Sequence, residues 1–212
     1  GAQEDAQAGL LLKPNGAQTF TARGLARFVV KQLPLAFEDF SSAVSADPKY
    51  ALAHFGLGSV LSSQNRPREA LKHLNRAVEL EPDAAVVRVV RGTVRDKMRD
   101  FAGAAEDYTA VLRIAPSFEW AHYYRGRAYR EMKKYPQAVE DYTAFLQRNP
   151  DHEEALYFRS NAYFLLNDQE RAVKDLDRIL LVNPRHGLAF ANRGVARSET
   201  GDIHGALSDL RK

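Results

Sequence analysis

The sequence predicts an all-α fold built from stacked pairs of antiparallel helices. Six prolines recur at an interval of 34 residues, which is the length of one helix-turn-helix unit in a repeat array. A column of small residues and a column of alanines recur at the same interval. The prolines are Pro14, Pro48, Pro82, Pro116, Pro150 and Pro184. We therefore expect similar hairpins that pack on their neighbours, with no single central core.

The small columns show where the two helices of a repeat cross. Repeats begin at Ala17, Ala51, Ala85, Glu119, Glu153 and Gly187, and their residues are numbered here as columns 1 to 34. Column 8 reads Gly24, Gly58, Gly92, Gly126, Ser160 and Gly194. Column 20 reads Ala36, Ala70, Ala104, Ala138, Ala172 and Ala206. Glycine inside a helix costs roughly 1 kcal/mol relative to alanine, so its recurrence indicates a close helix crossing.

A break in each repeat separates its first helix from its second. Proline favours the first turn of a helix and Asp or Asn favours its cap, so a second helix should begin at each break. The breaks are Leu33-Pro34, Arg66-Pro67, Tyr135-Pro136, Gly201-Asp202, Asn167-Asp168 and Asp100. In repeat two an apolar stripe of helical period follows, formed by Ala70, Leu71, Leu74, Ala77 and Val78.

These columns resemble the tetratricopeptide repeat, in which column 8 is small, column 20 is alanine, column 24 is aromatic or large and column 32 is proline. Column 24 reads Phe40, Leu74, Tyr108, Tyr142, Leu176 and Leu210. The resemblance covers essentially the whole chain. It implies a right-handed superhelical solenoid of antiparallel helix pairs. Residues 1–16 would be the second helix of a truncated repeat, and residues 17–212 would hold five full repeats and one incomplete repeat. We expect the chain to be a segment of a longer protein.

Two polar columns depart from the resemblance and vary together. Column 7 reads Arg23, Leu57, Arg91, Arg125, Arg159 and Arg193, and column 23 reads Asp39, His73, Asp107, Asp141, Asp175 and Asp209. The repeat that lacks the arginine also lacks the aspartate, so we expect an ion pair within a repeat or between neighbours. The alternative is an arginine ladder that grips phosphates or acidic peptides. Arginines also replace usual packing residues at Arg88 and Arg95, where we expect looser or wetter packing.

The resemblance implies that the first helices line a concave groove, through columns 2, 5, 6, 9, 12 and 13. Aromatic residues with arginine and asparagine beside them are typical of binding hot spots. We therefore predict that a partner peptide or helix binds in this groove. The predicted contact residues are Trp120, Tyr123, Tyr124, Arg127, Arg130, Tyr157, Phe158, Asn161 and Asn192. Many of these rings could instead pack between adjacent first helices, and Trp120 is the one that we most expect to be exposed.

Other functional classes have weaker support. The histidines show no HExxH motif or i, i+4 ligand pair, and no nucleophile triad or phosphate loop is readable, so we predict no metal, no cofactor and no enzymatic activity. Asn161 and Asn192 have the spacing of a family clamp for acidic chaperone tails. However, Tyr157 stands where that clamp has lysine.

The composition bounds the partner and the compartment. The formal charge is +3, and the sequence has no block of like charge. This composition disfavours nucleic acid as a partner, and it provides no basic strip that would bind a membrane surface. Single-stranded RNA binding stays open as an alternative because arginine exceeds lysine and many rings are present. A substrate-recruiting module of a larger enzyme also stays open. The chain has no cysteine, which leaves the compartment open, with the cytoplasm favoured.

Overall fold

A computed structural model describes residues 7–212, and residues 1–6 of the predicted truncated repeat lie outside the described part. Residues 7–10 are helical. Twelve helices follow within the described residues: α1 (Ala17–Val29), α2 (Leu33–Ala46), α3 (Ala51–Ser63), α4 (Pro67–Leu80), α5 (Ala85–Lys97), α6 (Phe101–Ile114), α7 (Trp120–Glu131), α8 (Tyr135–Leu146), α9 (Glu153–Leu165), α10 (Gln169–Val182), α11 (Gly187–Glu199) and α12 (Ile203–Asp209).

Each repeat forms one antiparallel pair of helices. The pairs are α1/α2, α3/α4, α5/α6, α7/α8, α9/α10 and α11/α12, and the two members of every pair pack against each other. Residues 7–212 contain no β-strand. The all-α class and the paired-helix solenoid fold predicted from the 34-residue interval are confirmed.

The chain divides into two compact units, Gly1–Ile114 and Ala115–Lys212. In the first unit a core cluster is built around Phe40, Leu61 and Leu74. In the second unit a core cluster is built around Tyr142, Phe145 and Ile179. Burial within each stack of pairs, and not one central core, therefore stabilises the protein.

The turn inside every repeat uses a left-handed residue at column 15. These residues are Lys31, Asn65, Arg99, Lys133, Asn167 and Gly201, with φ between 58° and 86°. The second helices then begin as predicted. Pro34, Pro67 and Pro136 lie in the first turns of α2, α4 and α8, while the side chains of Asp168 and Asp202 cap α10 and α12.

The glycines of column 8 pack against the side chain at column 24 of the same repeat. A Cβ added at Gly58 would lie 2.7 Å from Leu74 Cγ, and one added at Gly126 would lie 3.2 Å from Tyr142 Cε1. The predicted close crossing of the two helices is therefore confirmed at these positions.

The predicted arginine-aspartate pairs form inside each of the five repeats that have both residues. Arg125 Nε and Nη2 both donate to the carboxylate of Asp141 at 2.8 Å, and the aspartate is 3% exposed. The hydrogen bond to Asp141 is the main reason that the pKa of Arg125 is raised. Equivalent pairs join Arg23 to Asp39, Arg91 to Asp107, Arg159 to Asp175 and Arg193 to Asp209. These arginines are thus paired with structural carboxylates, which argues against the alternative that they bind phosphates or acidic peptides.

Some of these arginines also reach the preceding repeat. Arg159 Nη1 donates to Thr143 Oγ1 at 3.0 Å, and Arg193 Nη1 donates to Asp177 Oδ1 at 2.6 Å. The pairing column therefore connects helices within a repeat and across a repeat boundary.

The expectation of loose packing at Arg88 and Arg95 was wrong. Arg95 Nη1 lies 2.9 Å from Asp107 Oδ2, and Arg88 Nη1 lies 3.7 Å from Asp107 Oδ1. Both arginine side chains are less than a fifth exposed. They add charge to the same buried carboxylate that pairs with Arg91, because a fully buried carboxylate gains from every donor that reaches it.

Candidate functional site

The nine predicted contact residues lie on α7, α9 and α11, within the second compact unit. Tyr123 is buried and the other eight are half-buried. We refer to the surface formed by the eight half-buried residues as the first-helix face. It combines rings, two arginines and two asparagines, and aromatic and arginine side chains are enriched in binding hot spots.

Trp120 packs against rings from two other segments. Its ring centroid lies 5.0 Å from that of Phe145 on α8 and 5.6 Å from that of His152, which caps α9. Tyr124 lies 6.1 Å away on the same helix. Trp120, expected to be the most exposed ring, is therefore half-buried and partly structural.

Tyr123 lies beneath the first-helix face. It is 3% exposed. Burial is the largest reason that the pKa of Tyr123 is raised, and the nearby Glu154 at the start of α9 adds to it. This residue therefore supports the face and links α7 to α9.

Arg130 and Phe158 join the face across two helices. The guanidinium carbon of Arg130 lies 3.8 Å from the ring centroid of Phe158, and Arg130 also pairs with the carboxylate of Glu131. Tyr157 lies beside Phe158 and stacks on His186, with ring centroids 6.1 Å apart. A cation above a ring is a favourable contact, and it holds the arginine head at the surface.

Asn161 and Asn192 connect α9 to α11. Asn192 Nδ2 donates to Asn161 Oδ1 at 3.0 Å. Asn161 Nδ2 and Asn192 Oδ1 have no protein hydrogen-bond partner within residues 7–212. One amide donor and one carbonyl acceptor of this pair are therefore left for another molecule.

Sequence reasoning missed an unpaired hydroxyl under the face. The Tyr142 side chain is fully buried, and its hydroxyl has no hydrogen-bond partner among the described residues. In repeat three the equivalent Tyr108 hydroxyl lies 3.4 Å from Thr93 Oγ1, whereas column 9 of repeat four is Arg127. Burial raises the pKa of Tyr142. The change from threonine to arginine at column 9 was the signal in the sequence.

Sequence reasoning also missed a cavity beside the asparagine pair. The cavity has a volume of about 130 Å³ and lies among α9, α10 and α11. It is lined by Ser160, Asn161, Phe164, Ala172, Leu176, Asn192, Val195 and Ala196. Phe164 occupies column 12, one of the columns that the resemblance assigns to the groove, but the cavity beside it depends on packing between repeats.

Across residues 7–212 no group of three or more His, Asp or Glu side chains is arranged to hold a metal ion. None of the helices in this range has the length and hydrophobicity needed to cross a bilayer.

Family models described as tetratricopeptide repeat match residues 31–91 and residues 123–186. A curated relative, the small glutamine-rich tetratricopeptide repeat-containing protein 2 of Mycosarcoma maydis, is 32% identical over 77 residues. That alignment covers 36% of this chain and 22% of the relative's length.

Solved structures of similar fold share little sequence with this chain. YrrB, described as a TPR protein with an unusual peptide-binding site, has a TM-score of 0.78 and 20% identity over 88% of this chain and 96% of its own. MamA has a TM-score of 0.72 and 19% identity over 77% and 90%. PilF of Pseudomonas aeruginosa has a TM-score of 0.71 and 16% identity over 99% and 90%. At these identities the likeness supports the fold alone.

Proposed function

Since the chain belongs to the tetratricopeptide-repeat family, we propose that it is a non-enzymatic scaffold that binds a peptide or helix of a partner protein. The first-helix face is the proposed binding surface. The observation that carries this proposal is the continuity of half-buried rings and arginine across α7 and α9, centred on the stack of Arg130 on Phe158.

The chemistry of this face favours a protein partner. Large rings bury apolar area at small entropic cost, and a held guanidinium recognises a carboxylate or a carbonyl oxygen. Trp120, Tyr124 and Tyr157 supply rings that already pack on their neighbours, so a ligand would meet a preorganised surface. A peptide-binding site in the similar YrrB fold agrees with this proposal.

Single-stranded RNA is the weaker candidate for the same face. Base stacking needs an open ring face, and the guanidinium of Arg130 covers one face of Phe158. The arginines of column 7 are paired with buried aspartates, which removes them from a phosphate track. Recruitment of a substrate to a larger enzyme would use the same peptide-binding face.

The test is selection and titration of linear peptides. Peptides are selected on the intact chain from a phage-displayed random library, and their Kd is measured by the fluorescence of Trp120, the only tryptophan. The double variant R130A/Y157A should raise the Kd at least about tenfold, because hot-spot truncation typically has effects of this size. The control K174A changes an exposed residue of α10 and should leave the Kd unchanged.

Two outcomes would contradict the proposal. One is an unchanged Kd in R130A/Y157A with the helical circular dichroism intact. The other is binding of a labelled oligouridine that competes with the selected peptides and weakens steeply with salt, which would indicate RNA.

A further inference from the structure

We infer that the cavity beside Asn161 and Asn192 accepts a leucine-like side chain of an extended peptide whose backbone the two asparagines bind. This inference rests on the proposed function and adds a specificity to it.

At three other repeat boundaries, all inside the two compact units, the residue at column 24 and the residue at column 6 of the next repeat fill the space together. Phe40 faces Gly56, where an added Cβ would overlap the Phe40 ring. Leu74 and Val90 pack in one apolar cluster. The rings of Tyr142 and Phe158 lie 6.2 Å apart. Each of these pairs matches a large residue to a small one or fills the gap with apolar atoms.

The boundary between repeats five and six does not follow this rule. Leu176 at column 24 faces Asn192 at column 6, and the asparagine turns to Asn161, which leaves the hollow of about 130 Å³. Ser160 Oγ donates to the backbone oxygen of Tyr157, so this hydroxyl is satisfied on its own helix. The walls formed by Ala172, Leu176 and Ala196 are apolar and buried.

The size of the hollow selects the occupant. An apolar protein cavity of about 150 Å³ binds benzene, so a slightly smaller one suits a four-carbon aliphatic side chain better than an aromatic ring. Val195 is 45% exposed and lines the cavity, so the cavity reaches the protein surface at this residue.

The asparagine pair matches the backbone of the same ligand. Asn161 Nδ2 and Asn192 Oδ1 offer one donor and one acceptor at the cavity wall. A residue in an extended peptide offers one carbonyl and one N–H, which is the complementary set. Side chain and backbone of a single peptide residue can therefore be bound together, and no charged terminus is required.

The test uses blocked amino acids that contain one residue with both peptide groups. N-acetyl-leucine N-methylamide is titrated into the intact chain, and the methyl signals of Leu176 and Val195 and the side-chain amide signals of Asn161 and Asn192 are followed by NMR. We expect these signals to shift, with a Kd at least about tenfold lower than that of the glycine analogue, because the leucine side chain leaves water. The phenylalanine analogue should bind more weakly than the leucine analogue.

Two variants close the cavity and one serves as the control. S160G/L176F reproduces the Gly24 and Phe40 pair of repeat one and keeps both asparagines. V195F enlarges an exposed lining residue and avoids the core if the double variant folds poorly. Both should abolish the shifts of the side-chain amide signals of Asn161 and Asn192, whereas L165A, which removes a leucine side chain that is 55% exposed on α9, should retain them.

The results separate this inference from the proposed function. No shift with the leucine analogue, or equal binding of the glycine analogue, overturns the inference even if library peptides bind the first-helix face. Shifts that disappear in the cavity-closing variants support it even if R130A/Y157A leaves peptide binding unchanged.

Discussion

Repeat two and repeat four use different side chains to join their two helices at columns 4, 7 and 23. In repeat four, Asp141 accepts hydrogen bonds from Arg125 and from His122 Nδ1, the latter at 2.8 Å. In repeat two, the equivalent columns hold His54, Leu57 and His73.

The two imidazoles of repeat two form a neutral version of the contact. His54 Nδ1 lies 3.1 Å from His73 Nδ1, and His54 Nε2 lies 3.1 Å from the carbonyl oxygen of Pro48. If His54 donates to Pro48, its Nδ1 accepts the proton of His73 Nδ1. The comparison shows that these columns require matched donors and acceptors, and that a charge is one of two ways to supply them.

The largest effect on stability should come from removing the carboxylate that pairs with Arg125 in repeat four. Asp141→Ala would leave the mostly buried guanidinium of Arg125 without its carboxylate and should lower the free energy of unfolding by roughly 3–5 kcal/mol. Urea unfolding followed by circular dichroism measures this loss. Glu140→Ala removes an exposed carboxylate next to it and should change stability by less than about 0.5 kcal/mol. Equal stability of D141A and the parent would mean that the pair contributes nothing.

Placing the residues of repeat two at the same columns of repeat four tests whether stability requires a charged pair or only matched hydrogen-bond donors and acceptors. Repeat four already has His122 at the position of His54, so R125L/D141H reproduces the whole set. Replacing both partners of a buried pair is often nearly neutral, so we expect the double variant to be at least about 2 kcal/mol more stable than D141A. A double variant as unstable as D141A would show that the carboxylate itself is required.

Pairing of these columns could be predicted from sequence because repetition provided six internal comparisons. The joint absence of arginine and aspartate at Leu57 and His73 predicted the contact that the structure shows elsewhere. The contact between His54 and His73 was missed, since a single repeat carries it and no second copy reveals it.

The first-helix face and the cavity show the same limit. Column positions placed Arg130, Phe158, Asn161 and Asn192 on one face, and the structure brings them together in pairs. The cavity could not be predicted, because it depends on the combined volume of side chains from two repeats that meet across a repeat boundary. Periodicity predicts which positions meet, whereas packing decides how well they fill the space.

A pH titration should affect repeat two more than repeat four. Burial lowers the pKa of His73 from its ordinary value of 6.5; His54 and Lys72 add to this, and Glu69 opposes it. Arg76 and Glu79 also line a second cavity, which lies beside His54 and His73 in repeat two. Below the ordinary pKa the unfolded state binds more protons than the folded state, so this contribution is complete above that pH and is lost as the pH falls through the folded pKa.

The loss should be on the order of 1 kcal/mol, the size of a neutral hydrogen bond, between about pH 7.5 and about pH 5.5. Urea midpoints at the two pH values measure it. His73→Gln removes the titrating group and should reduce the difference, while the R125L/D141H variant should increase it. A pH dependence that is the same in H73Q and in the parent would exclude His73 as its source.

The smallest effect separates the two repeats at their turns. Column 15 is Asn65 in repeat two and Lys133 in repeat four, with φ of 58° and 59°. Asparagine adopts the left-handed region readily, whereas lysine pays roughly 1–2 kcal/mol there, and glycine avoids that cost but loses about 0.5–1 kcal/mol of chain entropy. Lys133→Gly should therefore raise the free energy of unfolding by about 0.5–1 kcal/mol, and Asn65→Gly should change it by only a few tenths. Paired urea titrations measure both. A larger gain at Asn65 than at Lys133 would mean that side-chain contacts, and not backbone strain, govern the turns.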